Sequence, residues 1–119
     1  MDHIIRQIHF RDEFNPKKLQ FIAQHFQVGN SRACAFCLYY IYDLQSFMVG
    51  KISREHSTAS KTIFMHFTQG QINKANKKAA SYGISFGELC KRAILEVSTL
   101  IEKEKMEPYH PKVLEFFKD

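Results

Sequence analysis

Six residues, Thr62-Ile63-Phe64-Met65-His66-Phe67, constrain the fold of this 119-residue chain more than any other stretch. Ile63, Met65 and Phe67 alternate with Thr62, Phe64 and His66, the period-two pattern of a half-buried strand. Thr68 follows where a helix cap belongs, its hydroxyl able to accept an orphan backbone N–H. Ile72, Ala75, Ala79 and Tyr82 then recur at helical spacing, while Asn73, Lys74, Lys77 and Lys78 fill the polar side. Gly83 can take the left-handed conformation that ends a helix. Ser85, with Glu88 three residues on, reads as a capping box. Leu89, Ala93, Ile94, Val97, Leu100 and Ile101 carry a second apolar stripe toward Lys105. A lone short strand can satisfy neither its edge hydrogen bonds nor its apolar face. It requires a partner strand, from this chain or from another.

The N-terminal part offers one. Ile8 and Phe10 alternate with Gln7, His9 and Arg11. Asn15-Pro16 has the character of a helix entrance, with a capping residue and then proline at the first helical position. Leu19, Ile22, Ala23 and Phe26 form an apolar face, Gly29-Asn30 interrupts it, and Ser31 reads as the next cap. Ala33 to Met48 is strongly apolar and aromatic. The order strand, helix, helix thus recurs 54 residues apart (83 − 29), with Gly29 and Ser31 matching Gly83 and Ser85. Asp12 and Glu13 interrupt the alternation in the first copy. The expected organisation is a degenerate copy or helical oligomerisation unit over 1–50 and a linker over 51–60. The clearer copy follows over 61–106, and then an extension over 107–119 in which "KVLEFF" makes a short turn packed on the body. The expected fold is mainly α with a short β-ribbon, built from one such unit or from two in tandem.

Composition narrows the function. A hydrophobic fraction of 45% with 11 Phe argues for a folded core. The net charge of +5 is unevenly spread. Residues 51–92 carry eight Lys/Arg against two Asp/Glu, whereas 1–50 carry five against four and 93–119 four against six. A localised basic excess points to an anionic partner, nucleic acid ahead of an anionic membrane surface. No apolar run is long enough for a transmembrane helix, and the charged start "MDHIIRQIHFRDEF" does not read as a signal peptide. Three Cys fit a reducing cytoplasm better than a disulfide framework. "CAFC", Cys34 to Cys37, has metal or redox spacing, but it lies in an apolar helical run where cysteine behaves as a small core residue. The six His include no helical pair flanking an acid, which argues against a zinc enzyme. No Gly-rich phosphate loop or triad spacing is present. The expectation is a protein without catalytic residues, metal or cofactor.

The segments "TIFMHF", "INKANKKAASYG" and "ISFGELCKRAILEV", within residues 61–105, resemble the ribbon-helix-helix (Arc/MetJ-like) DNA-binding family. The glycine-x-serine turn followed by Glu88-Leu89 is the most specific part. The resemblance implies an antiparallel ribbon in the major groove of duplex DNA, with second-helix N-termini holding phosphate through backbone N–H groups. It implies base-facing roles for Thr62, Phe64 and His66, and in the N-terminal copy for Gln7, His9 and Arg11. It implies phosphate contacts at Ser85, Phe86 and Gly87, with Lys61, Lys91 and Arg92 nearby. Gln can pair with adenine and Arg with guanine, whereas Phe64 departs from the pattern and can contact only a thymine methyl group. Lys74, Lys77 and Lys78 either extend the field toward phosphate or form a solvated helix face. The ribbon forms between two chains, as a homodimer, or within one, as a pseudo-dimer. The function implied is sequence-specific binding of double-stranded DNA by a small bacterial or plasmid transcriptional or replication-control regulator, such as a repressor, in the cytoplasm. The alternative is a protein-interaction module, antitoxin-like or an accessory dimerisation protein, that holds a partner through the aromatic N-terminal half.

Overall fold

The computed structural model describes residues 3–10, 14–42, 61–104, 106–107 and 110–117. The expected linker at 51–60 lies outside them, as do Arg11, Asp12 and Glu13. The elements run β1 (His3–Phe10), α1 (Phe14–Phe26), α2 (Asn30–Ile41), β2 (Lys61–Thr68), α3 (Gln69–Tyr82), α4 (Phe86–Glu102) and α5 (Pro111–Phe116). The chain is mainly helical with a small two-stranded antiparallel sheet.

Both strands of the ribbon come from one chain. β1 pairs antiparallel with β2, setting Ile5 opposite His66, Gln7 opposite Phe64 and His9 opposite Thr62. Alternation decides which face is buried. Ile8, Phe10, Met65 and Phe67 turn inward and are buried, while Ile5, Gln7, His9, Phe64 and His66 are exposed on the other side. Each strand supplies the ladder partners the other lacks, and the helices cover the apolar face.

The helix boundaries follow local chemistry, with departures from the sequence expectation. Thr68 caps α3 through a full capping box: its Oγ1 accepts from the Gln71 N–H at 3.1 Å, and Gln71 Oε1 accepts from the Thr68 N–H at 2.9 Å. Gly83 ends α3 at φ 67°, the left-handed region that glycine enters without a Cβ penalty. Ser85 caps α4 by accepting from the Glu88 N–H at 3.1 Å, but the Glu88 carboxylate turns to Arg92 instead of back to the cap. The expected box is therefore half a box. α1 begins at Phe14, so Pro16 sits inside the first turn, where N–H groups have no intrahelical partner and a missing one costs little. Ser31 does not cap α2. Gly29 holds that position and makes no side-chain cap bond.

The two caps, Gly29 and Ser85, are 56 residues apart (85 − 29), and the core follows the same spacing rather than 54. Leu19 and Ala75, Ala23 and Ala79, Ala33 and Leu89, Cys34 and Cys90, Leu38 and Ile94, and Ile41 and Val97 are all buried and all 56 apart. In the strands the buried matches Ile8/Met65 and Phe10/Phe67 are 57 apart, so the step from the last matched strand residue to the first matched helix residue is one longer in the N-terminal half (19 − 10 against 75 − 67). α2 and α4 form the centre of the helical layer, and α1 packs on both. Cys34, Cys37 and Cys90 are free and buried there, as the apolar setting of "CAFC" predicts. Cys34 and Cys90 lie close enough to hydrogen-bond, and burial pushes the Cys37 and Cys90 thiols well up.

α5 is the short helix expected from "KVLEFF", and it packs on α2. His110 caps it by accepting the Lys112 N–H at 3.2 Å, and Val113 is buried. Phe117 stacks on Phe36 with centroids 5.5 Å apart, and Phe116 meets Phe36 edge-on at 5.6 Å. Among the described aromatic residues of the N-terminal half, Phe10 and Phe36 are buried, Phe26, Tyr39, Tyr40 and Tyr42 pack partly buried against the core, and Phe21 is exposed. Among the described residues, no helix is long and apolar enough to cross a membrane.

Candidate nucleic-acid interface

The outward face of the ribbon gathers side chains from both ends of the sequence. Gln7 and His9 from β1 and Phe64 and His66 from β2 are exposed there, with Thr62 half-buried at the edge. Thr62 Oγ1 and His9 Nδ1 lie 2.7 Å apart, bonded across the strands. Phe64 is 59% exposed and stands opposite Gln7. The expected base-facing residues of the two strands therefore share one face, apart from Arg11, which lies outside the described residues. Ile5 also stands on this face, 53% exposed and opposite His66. Sequence reasoning missed it. Alternation read backward from Gln7 places Ile5 outward, but an isoleucine there reads as core.

The flanks of the ribbon differ from the expectation. The N–H of His66 points to the outer edge of β2 and donates to Ser31 Oγ at 2.9 Å. That bond sets the first turn of α2 beside the ribbon. The α2 N-terminus has no side-chain cap and no acidic residue in its first turn. Its leading N–H groups have no intrahelical acceptor, and the helix dipole favours an anion there. Exposed Asn30 and Arg32 lie in the same turn, with the Arg32 guanidinium 5.1 Å above the Phe117 ring. The sequence signal was present in Gly29-Asn30-Ser31-Arg32, but assigning the cap to Ser31 hid it.

The α4 start, where phosphate contacts were expected, is less open to an anion. Ser85 occupies one N–H, and Phe86 is partly buried with its ring edge-on to Phe67 at 5.4 Å. A Cβ added at Gly87 would meet nothing within 4 Å, so the backbone there is open to approach. Glu88 places negative charge in the first turn, where its carboxylate opposes the approach of any other anion to the same dipole. Arg92 is half-buried and offsets that charge, its Nε 3.4 Å from Glu88 Oε1. Lys91 is half-buried on the same helix. The side chain of Lys61 lies outside the described residues.

Two of the three α3 lysines have other work. Lys78 Nζ donates to the Tyr42 carbonyl at 3.2 Å, and Lys74 Nζ lies 6.0 Å from the Tyr42 ring centroid. The Tyr42 hydroxyl donates to the Gln71 carbonyl at 3.2 Å, so this tyrosine ties the end of α2 to α3. Burial raises the Tyr42 pKa, with the nearby Cys90 and Cys34 adding to the shift. Among the described residues, no group of three His, Cys, Asp or Glu is placed to hold a metal ion. Compared with protein-family models, curated proteins and solved structures, the chain has no significant match.

Proposed function

We propose that the chain is a tandem ribbon-helix-helix protein that binds double-stranded DNA in a sequence-specific way, acting as a small cytoplasmic transcriptional or replication-control regulator. The observation that carries this reading is the pairing of β1 with β2, which presents Gln7, His9, Phe64 and His66 on one exposed face. A two-stranded ribbon is narrow enough for the major groove, where each base pair shows a distinct pattern of donors, acceptors and methyl groups. The 56-residue recurrence of buried positions supports reading the halves as two copies that make a pseudo-dimer within one chain. The buried pair Cys34 and Cys90 has that spacing, and the two thiols approach each other, as equivalent positions do near a two-fold axis.

Affinity comes chiefly from phosphate, through the α2 N-terminus with Arg32 and through Lys91 near α4, and it falls with salt. Ribbon side chains supply the discrimination. The test is anisotropy of a labelled random-sequence duplex pool bound to the full chain, titrated at low and at near-physiological salt. Binding that weakens steeply with salt, with a subset of sequences retained at the higher salt, is the expected result. No binding at either salt would transfer the exposed Ile5 and Phe64 to the other reading, a protein-interaction module of antitoxin-like or accessory type.

A further inference from the structure

We infer that the ribbon reads a non-palindromic duplex in one fixed orientation, with thymine methyl groups beneath Ile5 and Phe64; this rests on the DNA-binding reading above. Two identical strands paired antiparallel repeat the same side chains about a two-fold axis, so they match an inverted repeat. Here the spacing of 57 that relates Ile8 to Met65 also relates Gln7 to Phe64, and these two stand opposite each other. The axis therefore passes between the two strands, with a glutamine on one side of it and a phenylalanine on the other. By the same spacing Ile5 corresponds to Thr62 and His9 to His66. Only the histidine is kept in both halves.

The differences sort to opposite ends of the ribbon. At one end His9 and Thr62 are bonded to each other at 2.7 Å and present polar atoms. At the other, Ile5 stands opposite His66, and Phe64 is its diagonal neighbour on the same face, within reach of a large side chain. Gln7 offers the donor and acceptor pair that fits adenine. Ile5 and Phe64 offer apolar surface that gains by leaving water, and the C5-methyl of thymine is the apolar group a base pair presents in the major groove. The flanks are unequal in the same sense. The α2 start carries no cap bond and no acid, whereas the α4 start carries Ser85 and Glu88. A duplex with identical halves cannot suit both ends.

The experiment begins with selection from a randomised duplex library by the full-length chain. The enriched site is then compared with two inverted repeats, one made from each of its halves, and with the same site carrying deoxyuridine in place of thymine. The native site is expected to bind about tenfold or more tighter than either inverted repeat, the range set by one or two mismatched base pairs. Deoxyuridine is expected to weaken binding in one half only, Ile5→Ala and Phe64→Ala each to reduce the thymine–uracil difference, and the double variant to abolish it while leaving the circular dichroism unchanged. A palindromic enriched site, or equal binding of an inverted repeat, overturns the inference and leaves DNA binding intact. Indifference to deoxyuridine overturns the methyl contact. Enrichment of no duplex overturns the DNA-binding reading and this inference with it.

Discussion

His9 Nδ1 and Thr62 Oγ1 are 2.7 Å apart although 53 residues separate them, and their bond lies on the exposed face of the ribbon. Each uses part of its hydrogen-bonding capacity on the other, which holds the imidazole at one angle to the strand. Thr62→Val keeps the β-branched shape and removes the hydroxyl. Stability in urea is expected to fall by no more than about 1 kcal/mol, as for a cross-strand pair in contact with water. The preference for bases under that end of the ribbon is expected to broaden in a duplex selection.

Ser31 links a helix to the ribbon edge by accepting the His66 N–H. Ser31→Ala is expected to cost about 0.5–1.5 kcal/mol, the net worth of an ordinary hydrogen bond. Hydrogen exchange at the His66 amide should accelerate more than at the neighbouring amides that point into the ladder. Exchange unchanged at His66 would contradict the bond.

The capping box at Thr68 and Gln71 is complete, whereas the cap at Ser85 is one-sided. Thr68→Ala is expected to destabilise by about 1 kcal/mol, and by up to about 2 in a favourable setting. A double-mutant cycle with Gln71→Ala should show positive coupling, because the two bonds share one geometry. The equivalent cycle between Ser85 and Glu88 should show little.

The buried thiols of Cys37 and Cys90 ionise less readily in the folded chain than in the unfolded one. Above the ordinary thiol value of 9.0 the unfolded chain therefore releases protons that the folded chain keeps. This contribution to stability is fully present below that pH and is lost as the pH rises past it toward the elevated folded values. Urea midpoints measured from neutral pH upward should fall in that window. Iodoacetamide should label all three cysteines promptly in denaturant and slowly without it.

Charge changes at the α4 start test the proposed phosphate contacts separately from the proposed base reading. Lys91→Ala is expected to weaken all duplexes alike and to lower the salt slope by about 0.9 for each phosphate it ceases to neutralise. Glu88→Gln removes an anion from the first turn and releases Arg92 from its ion pair, so it is expected to tighten binding to every duplex. A change in base preference from either substitution would place these residues against base edges instead.

Much of the ribbon was legible because a strand's period is two: once Met65 and Phe67 were assigned inward, Phe64 and His66 had to face out. The cap at Thr68 and the glycine stop at Gly83 were legible for the same reason, since a few atoms within one turn decide them. The origin of α2 was not. Gly29 and Ser31 both suit a helix start, and the choice depends on the edge of β2, 35 residues away, whose His66 N–H takes the serine hydroxyl. Ile5 escaped because its type argues for the core while its register places it on the open face. Tyr42 and Phe117 gave no local signal, since their partners come from elements distant in the chain.

A ribbon whose two strands are joined by one polypeptide forms without any encounter between molecules. Its abundance follows protein concentration in direct proportion, where an element shared by two separate chains would fade with the square at high dilution. A cell holding only a few copies would still hold that many finished ribbons, and halving the gene dose would halve their number rather than quarter it.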